Sequence, residues 1–294
     1  MSTILSLLSV VAASTGLLVS PAELAAALTD PAVVVVTIAE RPSDFEAGHI
    51  PGARFVRYGD VAPDRDGLAS ELPPVERLRE VLAAVGINES SKVVIYGSPV
   101  PASRLFFTLD YLGHPSVRIL NGGMAAWLAG GGAVETGPGP RVEPVASSLG
   151  ASLRPDCVVD AEWIVERTAD RKPQTGERPP AITLVDARPD DEFTGADRGR
   201  NGTFVAGHLP GAQQLAWSTL VDRTTGIFLP DAELRTRFEA AGASAGTPLV
   251  SYCMIGMRAS VTYFLARHLG YDARMYDGSI QDWTNKRLPA QTGR

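Results

Sequence analysis

Cysteine and histidine are scarce in this sequence. Its 294 residues include two cysteines, Cys157 and Cys253, and four scattered histidines. Two cysteines are too few for a disulfide framework, and no cluster of cysteine and histidine has the spacing of zinc ligands. We therefore expect neither a disulfide scaffold nor a structural metal site.

Basic residues are absent from the N-terminal segment, where the first lysine or arginine is Arg41. Residues 4–13 form an apolar run of signal-peptide length, but the basic region that normally precedes such a run is missing. We therefore expect a cytoplasmic protein, with export as the alternative if residues 1–16 act as a signal peptide. No other apolar run approaches the length of a membrane-spanning helix, and we expect no membrane partner.

Positive charge is in deficit over the whole chain. Lysine and arginine number 27, aspartate and glutamate 33, and the net charge is −6. This acidic balance argues against nucleic acid as a partner. The remaining composition, with 45% hydrophobic residues, is that of an ordinary globular protein, and the length favours two domains.

The chain contains one unit twice. Four segments of the first half recur in the same order in the second half, which indicates a duplicated domain. The matches are Gly-His-Ile-Pro-Gly-Ala at 48–53 with Gly-His-Leu-Pro-Gly-Ala at 207–212, 64–79 with 222–235, 92–96 with 248–252, and 121–127 with 277–283. We predict domains at residues 17–132 and 153–290, joined by a linker at 133–152.

Each half alternates short apolar runs with amphipathic stretches. Four apolar runs predict strands buried on both faces, at 33–38, 93–96, 182–185 and 249–252. Helices are predicted at 76–85, 102–112, 232–241 and 259–269, and capping residues predict two more, after Ser20 and Asp160. We therefore expect an α/β fold in which each domain is a parallel sheet flanked by helices on both faces.

The strongest single feature is Cys-Met-Ile-Gly-Met-Arg at 253–258, between a predicted strand and a predicted helix. Backbone N–H groups of such a loop can converge on one anion as a nest, and the helix start adds partial positive charge. Both effects favour the thiolate of Cys253, which makes it a candidate nucleophile. The candidate binding loop comprises Met254, Ile255, Gly256, Met257 and Arg258. A buried structural thiol is the commoner fate of a lone cysteine, and we assign it to Cys157.

Together these motifs resemble the rhodanese family. The resemblance rests on the Cys-x-x-Gly-x-Arg loop, the Gly-His-x-Pro-Gly-Ala motif, Asp186-Ala-Arg188, and Asp277-Gly followed by Trp283. The duplication is similar to that of the tandem rhodaneses, which include thiosulfate and 3-mercaptopyruvate sulfurtransferases.

The resemblance implies an enzyme that moves a sulfane sulfur from a small-molecule donor such as thiosulfate to cyanide or a thiol. The sulfur would travel as a Cys253 persulfide, a protein thiol is a further acceptor, and no metal or organic cofactor is implied. Asp186 and Arg188 are expected to form an ion pair that supports the loop. His208 is expected to be a structural hydrogen-bonding residue.

The two copies are not equivalent. Aligning the strand ends Tyr96 and Tyr252 puts Gly97 in the place of Cys253, and the two prolines that follow Gly97 lack N–H donors. We therefore expect an inactive first domain that covers the second, with Cys253 at the floor of an interdomain cleft. A thiol that titrates like a free cysteine, or that the structure seals from solvent, would overturn the assignment of sulfur transfer to Cys253.

The substrate signatures of both kinds of enzyme are missing. Thiosulfate enzymes of this family place basic residues directly after the cysteine and an arginine six residues after the Asp-x-Arg aspartate. Here those positions hold Met254, Ile255 and Glu192. Mercaptopyruvate enzymes use a loop serine where this chain has Ile255. We therefore expect a donor or acceptor less charged than thiosulfate, or a protein thiol.

Two alternatives stay open at this point. The same loop design serves phosphatases and arsenate reductases, whose spacing is Cys-x5-Arg, whereas Cys253 to Arg258 is Cys-x4-Arg. A non-catalytic protein-binding module with this fold would have an unreactive Cys253.

Overall fold

The computed structural model describes residues 16–168, 181–199 and 202–294. The signal-peptide alternative falls on a segment of which residues 1–15 lie outside the described residues. Within the described ranges, no helix is long and apolar enough to cross a membrane. The cytoplasmic location stays a prediction.

The first domain contains a five-stranded parallel sheet with the order β1-β5-β4-β2-β3. Its strands are β1 (Leu18–Val19), β2 (Val33–Ala39), β3 (Arg54–Arg57), β4 (Lys92–Tyr96) and β5 (Val117–Leu120). Its helices are α1 (Pro21–Ala27), α2 (Pro42–Glu46), α3 (Tyr58–Val61), α4 (Val75–Ala84), α5 (Pro99–Tyr111) and α6 (Gly123–Ala129).

The second domain repeats this order strand for strand, as β6-β10-β9-β7-β8. Its strands are β6 (Val158–Val159), β7 (Thr183–Asp186), β8 (Gln213–Gln214), β9 (Leu249–Tyr252) and β10 (Ala273–Tyr276). Its helices are α7 (Ala161–Thr168), α8 (Asp190–Thr194), α9 (Asp231–Ala240), α10 (Ala259–His268) and α11 (Ser279–Asn285). The predicted two-domain α/β fold with parallel sheets is confirmed.

The helix starts follow from capping. Ser20 accepts a hydrogen bond from the backbone N–H of Glu23, and the Glu23 carboxylate accepts one from the N–H of Ser20 at 2.7 Å. Asp160 accepts from the N–H of Trp163 at 2.7 Å. Both predicted caps are therefore confirmed. Helix α5 begins at Pro99, three residues before its predicted start, because proline is well tolerated in the first turn of a helix.

The two domains meet along α5 and α10, the helices that follow the equivalent strands β4 and β9. Phe106 lies edge-on to Phe264 with ring centroids 4.8 Å apart, and Phe107 packs in the same way on Tyr263 at 5.0 Å. This apolar contact places the loop that precedes α10 against the first domain.

The linker follows the surface of the first domain. The N–H of Gly137 donates to the carbonyl of Glu46 at 2.8 Å, and the N–H of Val145 donates to that of Ala83 at 3.1 Å. The domain boundaries at 17–132, 133–152 and 153–290 stay predictions.

Candidate active site

The cysteine loop lies at the carboxyl edge of the second sheet, where parallel sheets bind ligands. Strand β9 ends at Tyr252 and α10 begins at Ala259, so residues 253–258 form the connection. Four backbone N–H groups of this loop have no hydrogen-bond partner among the described residues; they belong to Met254, Ile255, Met257 and Arg258. These donors are available to an anion, as an anion-binding nest requires.

Two other N–H groups of the loop converge on a protein side chain. Those of Cys253 and Gly256 each donate to the hydroxyl oxygen of Ser279 at 3.1 Å, and this hydroxyl donates to the carbonyl of Tyr276 at 2.9 Å. The expectation that the loop amides serve an anion is therefore wrong for these two. Ser279 ties the loop to the end of β10.

Ser279 was not among the predicted site residues, although a comparison of the two copies could have found it. Ser279 has a backbone φ of +53°, which is costly for a residue with a side chain. Its counterpart in the first domain is Gly123, with a φ of +54°. The first domain has glycine at the position with this conformation, whereas the second domain has serine. This difference indicates that the serine hydroxyl is needed there.

Gly256 is required by its surroundings as well as by its backbone. Its φ is +80°, and a Cβ atom added to it would lie 2.5 Å from Oδ1 of Asp277 and 2.7 Å from the Asp277 carbonyl oxygen. Both distances are shorter than a van der Waals contact, so a side chain would push the loop away from Asp277.

Arg258 closes the loop, but it does not present a free charge. Its two terminal nitrogens donate to the two carboxylate oxygens of Glu192, each at 2.7 Å. Burial would lower the pKa of Arg258, but the hydrogen bond with Glu192 and the negative charges of Cys253 and Glu192 outweigh this effect and raise it. Arg258 therefore lies between Cys253 and Glu192, and the carboxylate of Glu192 neutralises the charge of Arg258.

A second arginine reaches the loop from the first domain. Arg104 of α5 is fully buried and forms a bidentate ion pair with Asp277, which directly follows β10. Burial would lower the pKa of Arg104, but Asp277 outweighs this and raises it. Asp277 also accepts a hydrogen bond from the N–H of Leu72 at 2.9 Å. Sequence analysis missed Arg104 because its partner lies 173 positions away.

The residues predicted to support the loop lie beside its strand. Asp186 and Arg188 are both buried and joined by a bidentate ion pair with N–O distances of 2.7 and 2.9 Å. Arg188 also donates to the carbonyl of Gly207 at 2.7 Å. Because Asp186 is paired with Tyr252 in the sheet register, this ion pair stabilises the strand end that delivers the cysteine.

His208 has the geometry of a structural residue. Its ring stacks on that of Phe193 with centroids 3.9 Å apart, and Nδ1 lies 2.9 Å from the carbonyl oxygen of Phe193. His49 stacks on Phe45 in the same way in the first domain. The duplicated motif thus anchors the chain in both copies, including the one without a cysteine.

Cys253 has 0% of its surface exposed. The expectation of an open cleft with Cys253 at its floor is therefore wrong for this conformation. The first domain closes over the site, because Gln281 of α11 exchanges two hydrogen bonds with the backbone of Ala69, at 2.8 and 2.9 Å. An interdomain cavity of about 280 Å³ opens beside Asp277, and its lining includes Arg65, Glu71 and Leu72.

The equivalent connection in the first domain is shorter. Only Gly97 and Ser98 separate the end of β4 from Pro99, the first residue of α5. Two residues cannot form the six-residue loop found after β9, and no cysteine is present there. This geometry agrees with the expectation that the first domain carries no chemistry of its own.

Cys157 is a structural residue, as the sequence predicts. It is 2% exposed, and burial raises the pKa of its thiol to about 11. It lies at the interface beside Tyr263, whose hydroxyl donates to Asp110. A thiol held protonated at neutral pH is a poor nucleophile.

Comparison with known sequences covers both domains. The family model of the rhodanese-like domain matches residues 20–130 and 161–286. A thiosulfate sulfurtransferase of Corynebacterium glutamicum is 32% identical over 94% of this chain and 90% of its own length. A probable 3-mercaptopyruvate sulfurtransferase of Pseudomonas aeruginosa is 33% identical over 95% and 99%. The sulfur carrier protein TtuD of Thermus thermophilus is 30% identical over 88% and 90%.

Solved structures share the architecture. The crystal structure of YnjE matches with a TM-score of 0.80 and 25% identity, over 95% of this chain and 68% of that one. A complex of EanB with ergothioneine matches with a TM-score of 0.76 and 25% identity, over 89% of this chain. This chain spans 65% of the EanB chain.

Proposed function

This chain belongs to the rhodanese family and is a sulfurtransferase, and we propose that its Cys253 carries the transferred sulfur as a persulfide. The observation that supports this role is the loop at 253–258, whose unpaired N–H groups and Arg258 surround the cysteine next to the start of α10. The relatives favour neither the phosphatase-like alternative nor the non-catalytic one.

The first half-reaction transfers one sulfur atom to the enzyme. The Cys253 thiolate attacks the outer sulfur of a donor such as thiosulfate, a new S–S bond forms to Sγ, and the S–S bond of thiosulfate breaks. Sulfite leaves with its electron pair, and Cys253 becomes a persulfide anion. Charge and atoms balance without an oxidant or a metal ion.

The second half-reaction returns the enzyme to its starting state. An acceptor such as cyanide or a thiol, including a protein thiol, attacks the outer sulfur of the persulfide. The bond to Sγ breaks, and Cys253 leaves as the thiolate. With cyanide the product is thiocyanate.

The residues around Cys253 have different proposed roles in sulfur transfer. The N–H groups of Met254, Ile255 and Met257 and the positive end of α10 would stabilise the persulfide anion. Arg258 would hold charge next to Sγ, and Ser279 would keep the loop in one conformation. Asp186, Arg188 and His208 support the surrounding chain without touching the sulfur.

The closed conformation requires an opening step. Because Cys253 is buried, some part of its surroundings has to move for a donor to reach it, and the first-domain segment at residues 63–72, which contacts Gln281 and Asp277, is the part that we propose. Such a motion would break the two hydrogen bonds between Gln281 and Ala69, each of which contributes only about 1 kcal/mol on balance. A thiol that stayed sealed under turnover conditions would contradict the proposed function.

The chain offers a matched test because it has only two cysteines. Intact mass is measured after incubation with thiosulfate and again after addition of cyanide. We expect the wild type and Cys157→Ser to gain one sulfur and lose it to cyanide, and Cys253→Ser to gain none. A sulfur gained at Cys157, or none gained by the wild type with any donor, would overturn the proposal.

A further inference from the structure

Three arginines around the cysteine loop are each paired with a carboxylate. Two terminal nitrogens of Arg258 engage Glu192, while Arg104 engages Asp277 and Arg188 engages Asp186; these are the ion pairs described above. These three pairs contribute three positive charges and three matching negative charges to the site.

A fourth carboxylate, that of Glu71, adds negative charge to the site. Glu71 lies on the first-domain segment that covers the loop, 3.5 Å from the amide of Gln281. Burial and the charge of Asp277 raise the pKa of Glu71 to about 7, although Arg104 and Arg65 oppose them. Near neutral pH the surroundings of Cys253 are therefore neutral to negative.

Glu192 is the carboxylate that decides what the loop offers to a substrate. It follows Asp191 on the short helix α8, and its side chain is 12% exposed while that of Arg258 is 23% exposed. Bidentate pairing uses two of the five guanidinium N–H groups, and the Glu192 carboxylate cancels the net positive charge that Arg258 would otherwise offer to a sulfonate. The neighbouring side chains, Met254 and Ile255, are apolar and add no charge.

We propose that Glu192 is a specificity-determining residue that withdraws Arg258 from the donor and makes the site select sulfur donors of low charge, namely organic hydropersulfides, over the dianion thiosulfate. This inference rests on the proposed Cys253 persulfide. The N–H groups of the loop hold a single negative charge on sulfur. A second negative charge, on a sulfonate, would meet Glu192 and Glu71, while Arg258 and Arg104 are already paired with carboxylates.

The step with a hydropersulfide is balanced. The Cys253 thiolate attacks the terminal SH sulfur of R–S–SH, the Sγ–S bond forms, and the S–S bond of the donor breaks. The thiolate R–S⁻ leaves with the electron pair and takes up a proton from solvent according to its own pKa. The outer sulfur keeps its proton or releases it to become the anion that the N–H groups stabilise.

The test compares two donors on two glutamate variants. Rates of sulfur gain at Cys253 are measured by intact mass with thiosulfate and with a small alkyl hydropersulfide. Glu192→Gln keeps a hydrogen-bonding group but removes the charge that neutralises Arg258. We expect it to raise the thiosulfate rate about tenfold and to change the hydropersulfide rate little. Added salt should reduce the gain, because Arg258 is partly exposed.

Glu233→Gln is the matched control. Glu233 also pairs with an arginine, Arg237, at 2.7 Å, but on the exposed face of α9. It should leave the ratio of the two rates unchanged. Met254→Lys is a second way to raise the thiosulfate rate relative to the hydropersulfide rate. It adds a cation to the loop without breaking the pair of Arg258 and Glu192.

The outcomes separate the two proposals. If the wild type gains sulfur from both donors equally well, or if neither Glu192→Gln nor Met254→Lys shifts the ratio relative to Glu233→Gln, the selectivity proposal is wrong and the persulfide proposal stands. If neither donor adds sulfur to Cys253 in the wild type, the proposed function itself is wrong.

Discussion

The two domains share a sheet but differ in the connection that follows its central strand. Six residues, 253–258, join β9 to α10, whereas two residues join β4 to α5. The longer connection has room for a cysteine, a ring of N–H donors and an arginine. We therefore predict that this duplicated fold carries chemistry in one copy only, because function resides in the site and not in the architecture.

The first domain nevertheless contributes to the site of the second. Its helix α5 supplies Arg104 to Asp277, and its segment at residues 63–72 donates hydrogen bonds to Gln281 and Asp277 beside the cysteine loop. Helix α5 occupies the place in the first domain that α10 has after the cysteine loop in the second. Instead of following a cysteine loop, α5 lines the candidate active site of the second domain. The proposed function thus assigns the reaction to the second domain and contacts around its site to the first.

The largest expected effect comes from breaking the charge contact between the domains. Arg104→Ala leaves Asp277 buried without its partner and should lower the free energy of unfolding by about 3 to 5 kcal/mol, measured by urea denaturation. The double variant Arg104→Met with Asp277→Asn should recover part of the loss. Arg237→Ala, which breaks an exposed pair, should cost less than about 1 kcal/mol. Equal losses in both single variants would contradict an enclosing role for Arg104.

The next effect concerns the loop that only the second domain has. Gly256→Ala brings a Cβ atom against Asp277 and should cost about 3 kcal/mol and slow sulfur gain at Cys253. Gly246→Ala is its control, because Gly246 has a φ of +78° and nothing within 4 Å of an added Cβ. That variant should cost only the backbone strain, about 1 kcal/mol, and keep full sulfur transfer. If Gly256→Ala and Gly246→Ala had equal effects on stability and sulfur transfer, the contact with Asp277 would not explain the need for glycine at position 256.

A smaller effect is expected from pH. The pKa of Glu71 is raised from 4.5 to about 7 in the folded protein. Between these values the folded state keeps the proton that the unfolded state has lost, so stability from this residue falls as pH rises through that window. Glu71→Gln should flatten the fall and gain about 1 to 3 kcal/mol at pH 8 relative to the wild type. Glu80→Gln, an exposed change on α4, should retain the wild-type slope.

The smallest effect tests whether a helix start alone is sufficient. Ser98→Cys in a Cys253→Ser background places a thiol in the two-residue connection, directly before the first residue of α5. We expect iodoacetamide to alkylate this thiol, since helix starts favour the thiolate. We expect no stable sulfur gain from thiosulfate, because the N–H donors of a six-residue loop are missing. A stable persulfide there would show that the longer loop is dispensable.

Much of this protein could be predicted from local patterns. Apolar runs placed β2, β4, β7 and β9, and the Ser20 and Asp160 caps placed two helix starts, because neighbouring residues determine such features. Self-similarity revealed the duplication, and the strand, cysteine, glycine and arginine order indicated the loop. The comparison of Gly97 with Cys253 predicted which domain lacks the thiol.

Other features depended on packing between distant parts of the chain. Arg104 meets Asp277, Gln281 meets Ala69, and Ser279 meets Cys253 only after the sheets and domains have assembled. Arg258 likewise meets Glu192, which neutralises its charge, only across 66 positions of the chain. The sequence by itself determined the duplicated fold and the position of the reactive thiol, because both follow from short-range order. Only the tertiary structure decided the charge and the enclosure around that thiol, because both arise from side chains that come from different elements.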